Sequence, residues 1–447
     1  MKTSQNQISF LFAISLLIPL WNIPHTILFR YLFALVLLII VFLSKPDWKT
    51  YFKSHKLLFI LFTYLFIQLL FFSTDYYLAF KNFKSEWLKF ILFGFLGIGC
   101  GYFLSKIKFP RLFFYFGVLF SIPLLVHLFL SLIKATSLGY IPIGYWGINE
   151  SHGDLGYSSI HAVIFLSVFL FFQANSNKEK ITTSLLLIAC LSSLLIASSR
   201  GGIVFLLGSF CLVLLTKLFA LQAKKPSFKI LLTAVFGVSF LVVGIFQVGS
   251  TLDSARWNGS FSNLEITLKG DALKINCEGI DYLKNVLGHE GIEISPQIVK
   301  TLDSINGFDY ARIVVARSAL QLALLNPMGI NQSKLAYDIA LEKYCGGKPQ
   351  IELLNSHNGW LDTSLAIGIL GALLYFLVLC GFIYEGLKSI KINSAYGVAL
   401  LSLALIWIIR SLFDSSQRDQ MLEMQIFTLC LISSLILYFK NFEINDN

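Results

Sequence analysis

Three side chains could act together on an anionic substrate. They are Arg200 in "SSRGG" (198–202), Arg312 in "DYARIVVARSALQLALLNPMGI" (309–330) and His357 in "LLNSHNGWLDTSLAIGILGALLYFL" (353–377). A guanidinium is a planar fork that matches phosphate oxygens bidentately, so two arginines suit a diphosphate. A histidine that titrates near neutrality can take a proton from an attacking hydroxyl. Each residue also has a plainer reading. An arginine at a Gly-Gly turn between apolar helices can snorkel to the surface, and His357 can simply bond a loop to a helix start. The chain has no HExxH, no Cys-rich metal pattern, no phosphate-binding Gly-rich loop and no Gly-x-Ser-x-Gly elbow. No metal and no cofactor is therefore expected, and the energy of any transfer must lie in a bond of the substrate rather than in ATP.

What must position these residues is a membrane. The 447 residues are 56% hydrophobic and 13% charged, against about 25% charged in soluble domains. Runs such as "LLFILFTYLFIQLLFF" (57–72) are continuous rather than alternating, which excludes a β-barrel and predicts an all-α polytopic membrane protein. Twelve transmembrane helices are expected, centred near 15, 35, 65, 95, 122, 166, 190, 210, 238, 374, 401 and 430. The first is read as a retained span, since no small-residue cleavage site follows it. The run 182–220 would reach roughly 60 Å as one helix, twice the hydrocarbon core, so it must fold back at "SSRGG".

The net charge of +10 is read as loop bias in a membrane protein, not as a nucleic-acid footprint. Lys45, Lys49, Lys53 and Lys56, then Lys106, Lys108 and Arg111, then Lys178 and Lys180, then Lys224, Lys225 and Lys229, then Lys388 and Lys391 fall in alternate short loops. Those loops are assigned to the cytoplasm with both termini. "SSRGG", the segment 134–157 and the loop 249–360 then face outward. The organisation expected is helices 1–9 in residues 1–248, a periplasmic loop domain in 249–360 and helices 10–12 in 361–447. The loop domain holds 10 Lys and Arg against 12 Asp and Glu. In it "NLEITLKGDALKINC" (263–277) reads as a β-hairpin, and "GIDYLKNVL" (279–287) and "SPQIVKTLDSI" (295–305) as short helices. Cys277 and Cys345 both lie there, and in an oxidising compartment they could form a disulfide or remain two thiols. The other five cysteines fall in apolar spans as packing residues.

Helical spacing puts Arg312 on one face with Ala316, Ala319 and Ala323, a small-residue face that would draw it into the protein. Arg317, about 140° away, would be solvated, and Pro327 ends the helix. If helix begins at or before His357, its ring stacks over Ser364, Gly368 and Gly371 and points into the bundle. In "RSLFDSSQRDQMLEMQ" (410–425), Arg410, Asp414, Arg418 and Asp419 read either as a solvated loop with incidental ion pairs or, for Asp414, as a group that orients a basic side chain. In "GYWGINESHGDLGYSSIHAVIF" (144–165), His152 and Asp154 read as solvated. His161 is an intramembrane histidine, functional or hydrogen-bonded for structure. Tyr140, Tyr145, Trp146 and Tyr157 suit an interfacial belt.

In this order, "SSRGG" at a hairpin, "YAR" opening a helix that closes "NPMGI", and "HNGWLDTSLAIGILG" resemble the bacterial O-antigen ligase family, whose superfamily includes O-antigen polymerases and protein O-oligosaccharyltransferases. The specific motifs run from about residue 195 to 420. The resemblance implies a glycosyltransferase that moves a glycan from undecaprenyl diphosphate to a sugar hydroxyl of lipid A–core at the periplasmic face of the inner membrane. It implies arginines at Arg200 and Arg312 on the diphosphate, catalysis by His357, support from Asp414 and Asn358, and independence of metal and ATP. The insert near 257–307 is more elaborate than the family pattern, which bears on acceptor recognition. Polymerase and protein-glycosylating activities remain as alternatives within the superfamily. A lipid or polysaccharide transporter is a third reading, against which stands the absence of inverted repeats.

Overall fold

The computed structural model describes residues 2–107, 109, 111–149, 152–220, 243, 244, 247, 251, 268–291, 309–351, 355–415 and 419–445. Among these residues all regular structure is helical and there is no strand. The first half runs as α1 (Lys2–Leu20), α2 (Ile27–Ser44), α3 (Trp48–Ser54), α4 (Lys56–Phe71), α5 (Tyr76–Asn82), α6 (Leu88–Ile107), α7 (Leu112–Leu138), α8 (His152–Phe172), α9 (Asn177–Ile196) and α10 (Arg200–Ala220), with a π-helical turn at Phe83–Trp87 joining α5 to α6. Then follow α11 (Ala272–Glu278), α12 (Ile280–His289), α13 (Asp309–Leu325), α14 (Ala336–Cys345), α15 (Gly359–Ile390), α16 (Ser394–Arg410) and α17 (Asp419–Asn445).

Eight of the described helices are long and apolar enough to cross a membrane, or nine if α3 and α4, bent by 91°, count as one span. Shorter apolar helices at Asn6–Leu20 and Ser394–Arg410 add to these. This is a polytopic membrane protein. Helices stand at every expected centre except that near 238, which lies outside the described residues. The run 182–220 does fold back, between α9 and α10, where Ser198 turns left-handed at φ 52°.

The outer face of α2 exposes Leu28, Leu32, Leu35, Ile39 and Phe42, a surface suited to lipid, while Leu37, Ile40 and Val41 are buried. Apolar side chains gain little by leaving lipid, so close packing must hold the helices together. Between α6 and α17 it does. A Cβ on Gly97 would fall 2.4 Å from the Phe427 carbonyl oxygen, and one on Gly101 equally close to that of Leu431. α15 is broken at Gly368, where φ is 83°. The loop after α13 enters the break. Ile330 donates its N–H to the Leu365 carbonyl at 2.7 Å, Gln332 to that of Ala366 at 3.1 Å, and Ile369 donates to Pro327 at 2.9 Å. Backbone groups freed by the kink are thereby bonded, as apolar surroundings demand.

The expected β-hairpin is corrected in its second arm. Residues 272–278 form α11, capped by the Asp271 carboxylate, which accepts from the Leu273 N–H. Ala272, Leu273, Ile275 and Asn276 are buried, and a capped helix satisfies the backbone beside this packing better than a lone strand. The first arm, 263–267, lies outside the described residues, as does the helix expected at 295–305. The helix expected at 279–287 is α12. Ala272, Ile275, Leu283, Leu287, Val314 and Ile351 make a small core of their own. Cys277 and Cys345 are bonded, with Cα atoms 5.3 Å apart, and tie α11 to α14.

Candidate functional site

The site forms where the starts of α10 and α15 and the turn after α16 lie at one end of the bundle. His357 is placed by a loop. α15 begins at Gly359, with the Asn358 side chain accepting from the Trp360 and Leu361 N–H groups at 3.1 Å each. His357 itself has φ 53°, so the stacking over Ser364, Gly368 and Gly371 expected of a helical His357 does not apply. Glycine nearby and a good N-cap one residue later stop the helix short of it. A left-handed non-glycine residue is strained and persists only where its surroundings fix it. Here the His357 N–H donates to Asn355 Oδ1 at 3.2 Å, and Ser415 Oγ donates to the same oxygen at 2.8 Å. Ser415 also bonds to the Asp362 carboxylate, which accepts the Ser356 N–H at 2.9 Å.

The second loop is stapled to the first. Asn358 Nδ2 donates to the Leu412 carbonyl at 3.1 Å. The Gly359 N–H donates to the carbonyls of Ser411 and Asp414. Asp414 is thereby locked beside His357. Its Oδ2 accepts from the Tyr157 hydroxyl at 3.0 Å and from Arg410 Nη2 at 3.3 Å, and its Oδ1 accepts the Ser415 N–H. Burial works to raise its pKa. The Arg410 guanidinium, the Tyr157 hydroxyl, and then His357 and Arg312 outweigh burial and hold the carboxyl below its usual range.

Arg410 corrects the reading of 410–425 as a solvated loop. It is only 2% exposed, because Asp414 lies one turn on and the Tyr157 ring lies beneath it. Arg418 lies outside the described residues, and Asp419 opens α17.

The helical-face reading of α13 is also corrected. Arg312 is exposed and Arg317 is half-buried, donating to the Gly270 carbonyl at 2.8 Å. α13 buries Val314, Val315, Ser318, Ala319, Leu322 and Ala323. Helix α11 and the residue before its cap cover the Arg317 side, which the alanine spacing alone did not reveal. Arg312 nonetheless comes near enough for its charge to act on Asp414. Arg200 opens α10 and is half-buried. Five residues on, Phe205 packs 5.0 Å from the Arg410 guanidinium carbon and 6.5 Å from the Phe413 ring, so the first turns of α10 border the Arg410–Asp414 pair.

Other singled-out residues have local roles. His161 is fully buried, with Nε2 3.1 Å from Thr428 Oγ1, matching the structural alternative. Asp154 is half-buried in the first turn of α8, and the side chain of His152 lies outside the described residues. Sequence reading missed the Tyr157 hydroxyl and the burial of Arg410. The Arg410–Asp414 spacing of four was a usable signal for the second, and no local signal marked the first.

Fold and site together define a polytopic helical membrane protein with arginines and a histidine gathered around one ionised carboxylate. The family model for O-antigen ligase matches residues 185–376. That stretch contains Arg200, Arg312, His357 and Asn358, while Arg410 and Asp414 lie beyond it. No curated protein matches the chain.

Proposed function

We propose that this protein is an O-antigen ligase, transferring a glycan from undecaprenyl diphosphate to a sugar hydroxyl of lipid A–core. The observation that carries the reading is the convergence of His357 and of Arg312 on α13 upon Asp414, with the loop of His357 bonded to the turn of Asp414. Asn358 and Asp414 support His357. The acceptor hydroxyl gives its proton to His357 as its oxygen bonds to the anomeric carbon. The bond from that carbon to the diphosphate oxygen breaks, and Arg200 and Arg312 bind the departing anion. Attack opposite the leaving group inverts the anomeric configuration, and this single displacement requires no carboxylate nucleophile. Neither ATP nor a metal enters the scheme.

The site end of the bundle faces the periplasm and both termini face the cytoplasm, in the inner membrane. Support comes from Lys45, Lys49, Lys106 and Arg111, at or near the opposite helix ends.

Cells lacking the gene test the class. A ligase defect leaves full-length polymer on undecaprenyl diphosphate and none on lipid A–core. Loss of the polymer itself, with only single repeat units on the lipid, contradicts ligation and indicates polymerisation.

A further inference from the structure

We propose that Arg410 is a positioning residue of this site: held against Tyr157 and bonded to Asp414, it fixes the carboxylate that faces His357 and Arg312. The proposal rests on the reaction above.

An arginine ending a membrane helix ordinarily reaches for water. Arg410 does the opposite. It is 2% exposed, and its Nε and Nη1 have no hydrogen-bond partner among the described residues. Burying a charged group with donors unbonded is unfavourable, and for stability alone an apolar side chain serves as well or better. Three helices nevertheless build a slot for this one. The guanidinium carbon lies 3.8 Å from the centre of the Tyr157 ring on α8 and 5.0 Å from that of Phe205 on α10, so aromatic faces meet the cation. Space for the flat group comes from Gly156. A Cβ there would sit 3.3 Å from Nη2, 3.5 Å from Nη1 and 3.2 Å from the Gly202 Cα.

What the slot delivers is at its mouth. With Nη2 fixed, the Asp414 carboxylate is gripped from three directions, by Arg410, the Tyr157 hydroxyl and the Ser415 N–H. A carboxylate without this grip could swing onto Arg312 and neutralise a cation that the leaving diphosphate requires. Arg410 therefore acts through Asp414 and touches no substrate.

A double-mutant cycle tests this. The wild type, Arg410→Gln, Asp414→Asn and the double variant are compared in lipid nanodiscs. Glycan-loaded undecaprenyl diphosphate and polymer-free lipopolysaccharide, both from cells lacking the gene, serve as substrates. Each single variant is expected to lower kcat about tenfold or more while both KM values stay within about threefold, and the double variant to be no slower than Asp414→Asn alone. Arg410→Gln should also move the acid limb of the pH–rate profile to higher pH, since the Arg410 cation, with the Tyr157 hydroxyl, His357 and Arg312, favours the ionised Asp414 carboxylate. Multiplicative losses in the double variant, or an unchanged kcat in Arg410→Gln, overturn the proposal. Should Arg410→Gln fail to fold, Tyr157→Phe keeps the ring against Arg410 and removes only the hydroxyl bond. It is expected to lower kcat about threefold or more and to move the acid limb the same way, and an unchanged kcat overturns the proposal. Full turnover by His357→Gln defeats the underlying reaction instead, whereas its loss beside a multiplicative cycle defeats only the role of Arg410.

Discussion

The Gly359 N–H donates to the carbonyl oxygen of Asp414 at 3.0 Å. The first N–H groups of a helix have no partner within it. Here the turn after α16 supplies one, so the loop carrying His357 and the turn carrying Asp414 are bonded directly to one another. Asn358 completes the joint by capping α15 and donating to Leu412.

Asn358→Ala should therefore do more than remove a cap. The cap alone is worth about 1 kcal/mol. Asn358→Asp keeps the cap and loses the Leu412 bond. Thermal unfolding should rank Asp above Ala, with both below the wild type, and transfer should fall in both. Normal transfer in Asn358→Asp would show that the joint is dispensable.

Arg312 and Arg317 should separate by function. Arg312→Lys should weaken undecaprenyl diphosphate binding nearly as much as Arg312→Ala, and Arg200→Lys likewise, because the planar fork is lost. The expected loss is about 30-fold, the effect of breaking a charged pair at a desolvated contact. Arg317→Ala breaks the bond to Gly270 and should lower thermal stability while leaving diphosphate affinity unchanged. Equal effects on affinity from the two positions contradict the assignment.

Membrane helices, the turn at Arg200, the helix at Arg312 and the pair of cysteines in the long loop were all legible, because each has a local signature in composition or spacing. The side of α13 that is covered was not legible. Arg317 is held by Gly270, 47 residues away, and no periodicity within α13 records that contact. Spacing left open whether the helix reaches His357, and the Asn358 cap decides that it starts at Gly359. Tyr157 looked like a belt aromatic since its partner, Asp414, lies 257 residues on. Alternation in 263–277 suggested strands, but Asp271 capping and the burial of Ala272, Leu273, Ile275 and Asn276 favour a helix in the second arm.

The disulfide closes a loop across 68 residues. Loss of such a crosslink should lower stability by roughly 3–5 kcal/mol in the entropic account. Cys277→Ser with Cys345→Ser should lower the unfolding temperature and expose α11 and α14 to protease, while an unliganded, folded bundle remains detectable. Thiol titration of the denatured, unreduced wild type should find five thiols, since five of the cysteines are unbonded. Seven reactive thiols contradict the bond.

Asp414 gives a pH signature. Its folded carboxyl titrates below the usual range, so the ionised form stabilises the fold above that range. This contribution is fully present at neutral pH and is lost as pH falls through the depressed folded value. The stability gap between wild type and Asp414→Asn should thus be constant from about pH 7 to 5 and close only in stronger acid. A gap that closes between pH 7 and 6 would assign the effect to another group.

The central claim is that His357 accepts the proton of the attacking hydroxyl, and purified, folded His357→Gln tests it most directly. Transfer and undecaprenyl diphosphate binding are measured side by side on the same preparation. General-base assistance is worth about 10²–10⁴-fold, and glutamine keeps polarity without taking up the proton. The account predicts that transfer falls by at least about a hundredfold while binding of the diphosphate lipid stays within about threefold. Near-normal turnover in His357→Gln would contradict it and leave His357 a structural residue of the loop.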